Sequence, residues 1–189
     1  MLFDKCMNES QIRETAHGIA VLATPYSNSF VDPASGVVCQ NAPFYYQETE
    51  GDFVLRAKVR LEFVSTYDAC VLFAYEQDKL WAKACFEFTD IGTHAVVSVM
   101  TNEYSDDANG VNIDGSEVWL QLSRKGDVFA VHYALDGENF MMARVARLPM
   151  KSTIKVGVCA QSPIGQGGDR FFDHISLEQR TLEDIRSGR

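Results

Sequence analysis

No segment of this chain approaches the ~20 consecutive apolar residues that a membrane helix requires, so no membrane partner is expected. The opening stretch MLFDKCMNESQIRETAHGIA sets Asp4 and Glu9 ahead of any apolar core, which argues against a secretory signal. Positive charge is scarce: 17 Lys and Arg stand against 26 Asp and Glu, for a net charge of -9. Nucleic-acid backbones and anionic surfaces call for cationic stripes, so no nucleic acid is expected either. The five cysteines, Cys6, Cys39, Cys70, Cys85 and Cys159, form no CxxC pair, and the paired spacing that zinc favours is missing. Their odd number, and the place of Cys70, Cys85 and Cys159 in apolar runs, predict free thiols in a reducing compartment, and hence a cytoplasmic protein.

Catalytic and cofactor signatures are equally sparse. The histidines His17, His94, His132 and His174 make no HxH or HxxxH pair, and no metal site is predicted. There is no GxSxG elbow. The glycine-rich PIGQGGDR lies between two strands, whereas a phosphate cradle opens a helix, so no cofactor is expected. No linker, low-complexity segment or repeat appears, and 189 residues suit one domain. Helical periodicity is confined to a possible turn at ESQIRET and to the polar tail SLEQRTLEDIRSGR, expected to end in a frayed turn or disorder.

What the chain has in abundance is period-2 alternation. Strands are predicted over 18–25, 43–49, 52–63, 68–76, 80–88, 94–102, 117–125, 127–135, 140–148, 154–162 and 170–178. Turn signals such as TEGD, EQDK, DIGT, RKGD and LDGEN separate them, and Asp136-Gly137 marks a hairpin. That many short strands read as an all-β, antiparallel two-sheet β-sandwich of jelly-roll type. The domain is expected over 1–179, with 180–189 as a polar C-terminal tail.

The strand LWAKACFEF carries the most information. Ala82, Ala84, Phe86 and Phe88 make one apolar file, turned towards the core. Trp81, Lys83, Cys85 and Glu87 make the other, expected on a concave, solvent-reachable face. Lys83 and Glu87 are roughly 13 Å apart at ~3.3 Å per residue, so each needs another partner. In the next strand Ser98 interrupts an apolar file, which suggests that its file neighbours Lys83 and Glu87.

The segments YDACVLFAYEQDKLWAKACFEF, HAVVSVMTNEYSDD, VWLQLSRKGDVFAVHYALDGENFMMAR and VGVCAQSPIGQGGDRFFDHISLE resemble the domain-of-unknown-function family 1349. The resemblance spans roughly residues 3 to 179. Its more specific pieces are Trp81, Lys83 and Glu87 in W-x-K-x-x-x-E, SVMTNEYSD and VGVCAQSP followed by FFDHISLE. It implies the concanavalin A-like lectin/glucanase fold, and some members are described as regulators of enolase-type metabolism in yeast. The chain departs from the family pattern at Val31 and Gln121, where the family tends to have tryptophan and arginine.

A flat indole stacks on the apolar face of a sugar while polar groups orient its hydroxyls. The expected ligand site is therefore Trp81, Lys83, Glu87, Ser98, Tyr104, Gln121 and Tyr133, taking a carbohydrate or small sugar-like ligand without catalysis. The plain alternative is an outer face with cross-strand ion pairs of ~0.2–1 kcal/mol each. A protein-interaction or regulatory module of carbohydrate metabolism would use the same face. A glycoside-active enzyme would use Glu87, but it needs a second carboxylate, for which Asp106 or Asp107 are the candidates. The acid- and Asn-rich stretch 102–115 reads as a solvated loop, with calcium binding as its alternative.

Overall fold

The computed structural model describes residues 2–189, among which there are sixteen strands and no helix. In chain order they are β1 (Lys5–Met7), β2 (Ile12–Glu14), β3 (Gly18–Ala23), β4 (Ser29–Val31), β5 (Val38–Gln40), β6 (Phe44–Glu50), β7 (Phe53–Leu61) and β8 (Ala69–Gln77). The second half holds β9 (Leu80–Phe88), β10 (His94–Asn102), β11 (Tyr104–Asn112), β12 (Glu117–Lys125), β13 (Val128–Ala134), β14 (Met141–Arg147), β15 (Thr153–Gln161) and β16 (Gly168–Glu178). They form two seven-stranded antiparallel sheets. The first runs β1-β6-β15-β8-β9-β10-β11 and the second β14-β13-β12-β7-β16-β3-β2, with β4 and β5 in a separate ribbon. This is the jelly-roll sandwich that the alternation implies. With no helix there is none long and apolar enough to cross a membrane.

Alternation explains the inter-sheet core. In β7, Phe53, Leu55, Ala57, Val59 and Leu61 turn inward while Arg56, Lys58 and Arg60 turn out. They meet Cys70, Leu72 and Ala74 of β8 and Ala82, Ala84 and Phe86 of β9. Each large apolar side chain fully buried here contributes about 1.5–3 kcal/mol. Asp136 accepts the backbone N–H groups of Glu138 and Asn139 at 2.9 and 2.8 Å, which closes the β13–β14 connection around Gly137 at φ 80°.

Three segments differ from expectation. Ile12–Glu14, expected as a helical turn, pairs with β3 as a strand. Residues 104–112, expected as a loop, form the edge strand β11, whose backbone is satisfied by β10. Asp and Asn on such an edge discourage further pairing with another chain. The C-terminal segment, expected as a frayed or disordered end, lies instead on the outer face of the second sheet. Leu182 is buried there, and Lys125 Nζ donates to the carbonyls of Leu182 and Glu183 at 2.8 Å each. Gln121 Nε2 donates to Gly188 O at 3.3 Å, and His132 Nε2 lies 3.0 Å from Arg186 O.

Candidate functional site

The outer face of the first sheet positions the site through strand register. One row across it runs Gln161, Ala69, Glu87, Ala95. The next runs Cys159, Val71, Cys85, Val97, Asn109, and a third runs Gly157, Phe73, Lys83, Val99, Asp107. The residues between Lys83 and Glu87 are small: Ala69, Val71, Cys85, Ala95 and Val97. Short side chains beside long ionic ones leave a hollow.

That face is not open to solvent along its length. The β4–β5 ribbon crosses it, held by the Val31 N–H donating to Ser105 Oγ at 2.9 Å and by Lys83 Nζ donating to Ser29 O at 2.7 Å. Val31 of the ribbon packs down on Phe44, Phe73, Tyr75, Trp81 and Val97 in a second apolar cluster. Beside it a cleft of about 360 Å³ stays open, lined by Phe30, Tyr67, Lys83, Glu87, Asp107 and Gln161 among others. A side lobe of about 230 Å³ reaches Asp90 and Asn109.

Each lining group has a structural support. Lys83 is buried, and Nζ also donates to Gln161 Oε1 at 3.1 Å. Tyr67 sits in the loop between β7 and β8 at φ 70°, its N–H donating to Phe88 O at 2.6 Å. That loop is fixed by Asp68, whose Oδ2 accepts the Ser65 N–H at 3.0 Å. Asp68 Oδ1 in turn meets Ser162 Oγ at 2.6 Å and Arg170 Nη2 at 2.9 Å. Arg170 also donates to the backbone carbonyl of Gln161. One buried ion pair therefore sets both the Tyr67 wall and the Gln161 floor.

Glu87 is the exception among the buried charges. It is 8% exposed, yet among the described residues no hydrogen bond or ion pair reaches its carboxyl. Burial pushes its pKa up to about 8, with Asp107 and Asp90 adding to the rise and Lys83 opposing it. Asp107 lies on the exposed edge strand, but its carboxyl lines the cleft and is raised chiefly by desolvation. Tyr67 is raised by desolvation and then by the same carboxylates. Among the described residues no group of three or more His, Cys, Asp or Glu is gathered closely enough to hold a metal ion.

Of the seven expected site residues, the structure brings only Lys83 and Glu87 to this cleft. Trp81 is on the expected face but fully buried, stacked 6.0 Å from Tyr75 under the ribbon, and has no free ring face. Ser98 pairs opposite Ala84, not Lys83, so it turns towards the inter-sheet core with Val96 and Met100. Gln121 is on the outer face of the second sheet beneath the C-terminal segment, bonded to Arg56 Nε at 2.6 Å. Tyr133 is in that same sheet and packs against the inter-sheet core. Tyr104 begins the edge strand, exposed and outside the cleft.

Phe30, Tyr67 and Gln161 also line the cleft, although their positions in the sequence did not point to it. Gln161 had a signal, as a polar residue closing the apolar run IKVGVCAQS. Phe30 and Tyr67 had none, since they reach the cleft from a ribbon and a loop with no periodicity. Asp107 was legible only as one of two candidate second carboxylates.

The model of the family "Protein of unknown function (DUF1349)" matches residues 6–180. The chain belongs to that family. A crystal structure of a functionally unknown protein from Saccharomyces cerevisiae shares the fold at a TM-score of 0.86 and 23% identity, covering 94% of this chain and 97% of that one. The carbohydrate binding module CBM66 from Bacillus subtilis is similar at a TM-score of 0.60 and 12% identity, covering 94% and 97% of the two chains. A xylan beta-1,4-xylosidase from Bacillus halodurans is similar at a TM-score of 0.66 and 12% identity over 85% of this chain, but over only 32% of its own. No curated protein matches the chain. At these identities the likeness is one of fold.

Proposed function

We propose that the cleft binds a carbohydrate or sugar-like metabolite without transforming it. Phe30 and Tyr67 offer apolar surface to the faces of a sugar ring. Glu87 offers an unpartnered carboxyl for its hydroxyls, beside Lys83 and Gln161, which are bonded to one another and keep the polar floor in place, the mixture of few polar groups on apolar walls that suits a small ligand. The observation that carries this reading is Glu87: a residue nine-tenths buried whose carboxyl has no protein partner and reaches the wall of an open cleft. A carboxyl with no protein partner on a cleft wall is free to exchange water for a ligand hydroxyl on binding. The fold shared with a carbohydrate binding module supports the same class of ligand.

Chemical-shift titration of the protein with mono- and oligosaccharides tests it. Shifts should concentrate on Tyr67, Lys83, Glu87 and Gln161. Tyr67→Asn should abolish them without loss of fold, because asparagine tolerates the positive φ at that position. Absence of any saccharide response, or a response untouched by Tyr67→Asn, refutes the reading.

A hydrolytic reading has one observation in its favour: Glu87 keeps its proton near neutral pH, as a general acid must. Asp107 would then have to serve as the opposing carboxylate. Turnover of aryl glycosides, lost in Glu87→Gln while saccharide binding persists, would be its signature.

A further inference from the structure

We infer that the cleft selects a ligand bearing a cationic amine, such as an amino sugar whose nitrogen carries no acyl group, over neutral or anionic saccharides. This rests on the carbohydrate reading and narrows it to a ligand class.

The charges facing the cleft decide it. Glu87, Asp107 and the Asp90 of its side lobe contribute three carboxyls. Lys83 contributes the opposing charge, but its ammonium is already committed to Ser29 O and Gln161 Oε1. The neighbouring guanidinium, Arg144, is held by Asp106 at 2.9 Å. Asp68, which precedes the residue opposite Glu87 on β8, is neutralised by Arg170 at 2.9 Å. Other deeply buried ionic side chains, Asp68, Lys83, Arg124 and Arg170, all have bonded partners, and Glu87 does not. An anionic ligand meets repulsion from Asp107 and Asp90 here, and a neutral hydroxyl does nothing to offset those two carboxylates. An ammonium carries three N–H donors for carboxylate oxygens, and the Tyr67 ring adds a cation-attracting face. A metal ion is a poorer occupant, because the carboxyls are not gathered into a cage.

Occupation has a protonic consequence. The free protein keeps the Glu87 proton at neutral pH under the combined effect of burial, Asp107 and Asp90. An arriving ammonium stabilises the carboxylate, so the carboxyl gives its proton to solvent as the ion pair forms. Binding of the cationic amine near pH 6.5 should therefore release up to about one proton per site.

Calorimetric titration of the full chain tests this with oligomers of glucosamine, their N-acetylated counterparts, neutral xylo- and gluco-oligosaccharides, and ethanolamine. Each is titrated in two buffers of different ionisation enthalpy. The glucosamine oligomers should bind at least about tenfold more tightly than their N-acetylated counterparts, with buffer-dependent heat reporting proton release. Glu87→Gln should abolish the proton release and the preference, and Asp107→Asn, on the exposed edge strand, should weaken the preference without unfolding the protein. Equal affinity for free and acylated amines, or binding without proton release, overturns this inference and leaves the carbohydrate reading standing. Ethanolamine binding as tightly as the amino sugars supports amine selection and overturns the carbohydrate reading. Saccharides failing to bind together with ethanolamine overturns both.

Discussion

The solitary Glu87 makes a stability prediction with a definite sign. Its carboxyl titrates near 4.5 when freely solvated and near 8 in the folded protein. Between those values the native state holds a proton that the unfolded chain has lost, so folding loses stability as pH rises. The loss is about 1.4 kcal/mol per pH unit, and on the order of 4–5 kcal/mol across the whole window. It is absent below pH 4.5 and complete above pH 8. Glu87→Gln preserves the shape and cannot ionise, so the variant should match the wild type at about pH 4 and gain on it steadily up to about pH 8, then hold its lead. Urea unfolding followed by tryptophan fluorescence at a series of pH values measures the difference directly, since other titrating groups are common to both proteins and cancel. A gap that is constant with pH, or that favours the wild type at high pH, would refute the claim that Glu87 is buried without a partner.

Further consequences can be checked in the same way. Trp81→Ala should destabilise by about 3–5 kcal/mol, as removal of a fully buried aromatic does. Trp81→Phe, by contrast, should leave ligand titrations unchanged, because the indole packs under the ribbon rather than against ligand. Asp68→Ala should cost about 3–5 kcal/mol by stranding Arg170, and line broadening at Tyr67 and Gln161 should report loosening of the cleft wall and floor. Leu182→Ala should cost about 2–5 kcal/mol in chemical unfolding, with faster hydrogen exchange from residue 182 onward, because that side chain pins the C-terminal segment to the second sheet.

The fold was largely legible because alternate side chains of a strand enter different surroundings, which leaves a period-2 record even in β9 and β10, buried on both faces. Strands 80–88, 94–102 and 117–125 are found at the predicted bounds. The short strands β1, β2, β4 and β5 left no such record, with three residues each. The polar edge strand β11 left none either, because its solvated side chains do not alternate in hydrophobicity.

Within the site, the residues that share a face of β9 could be read from their spacing alone. Trp81, Lys83, Cys85 and Glu87 had to lie together, since successive side chains of a strand point to opposite sides. What covers that face came from the folding of distant segments over it. The β4–β5 ribbon seals Trp81 but stops short of Glu87, and register with β10 turns Ser98 to the core. Gln121 and Tyr133 belong to the opposite sheet. Alternation records the two sides of a strand, but not which strands become neighbours or which loop folds over them. Those depend on contacts between residues far apart in the chain.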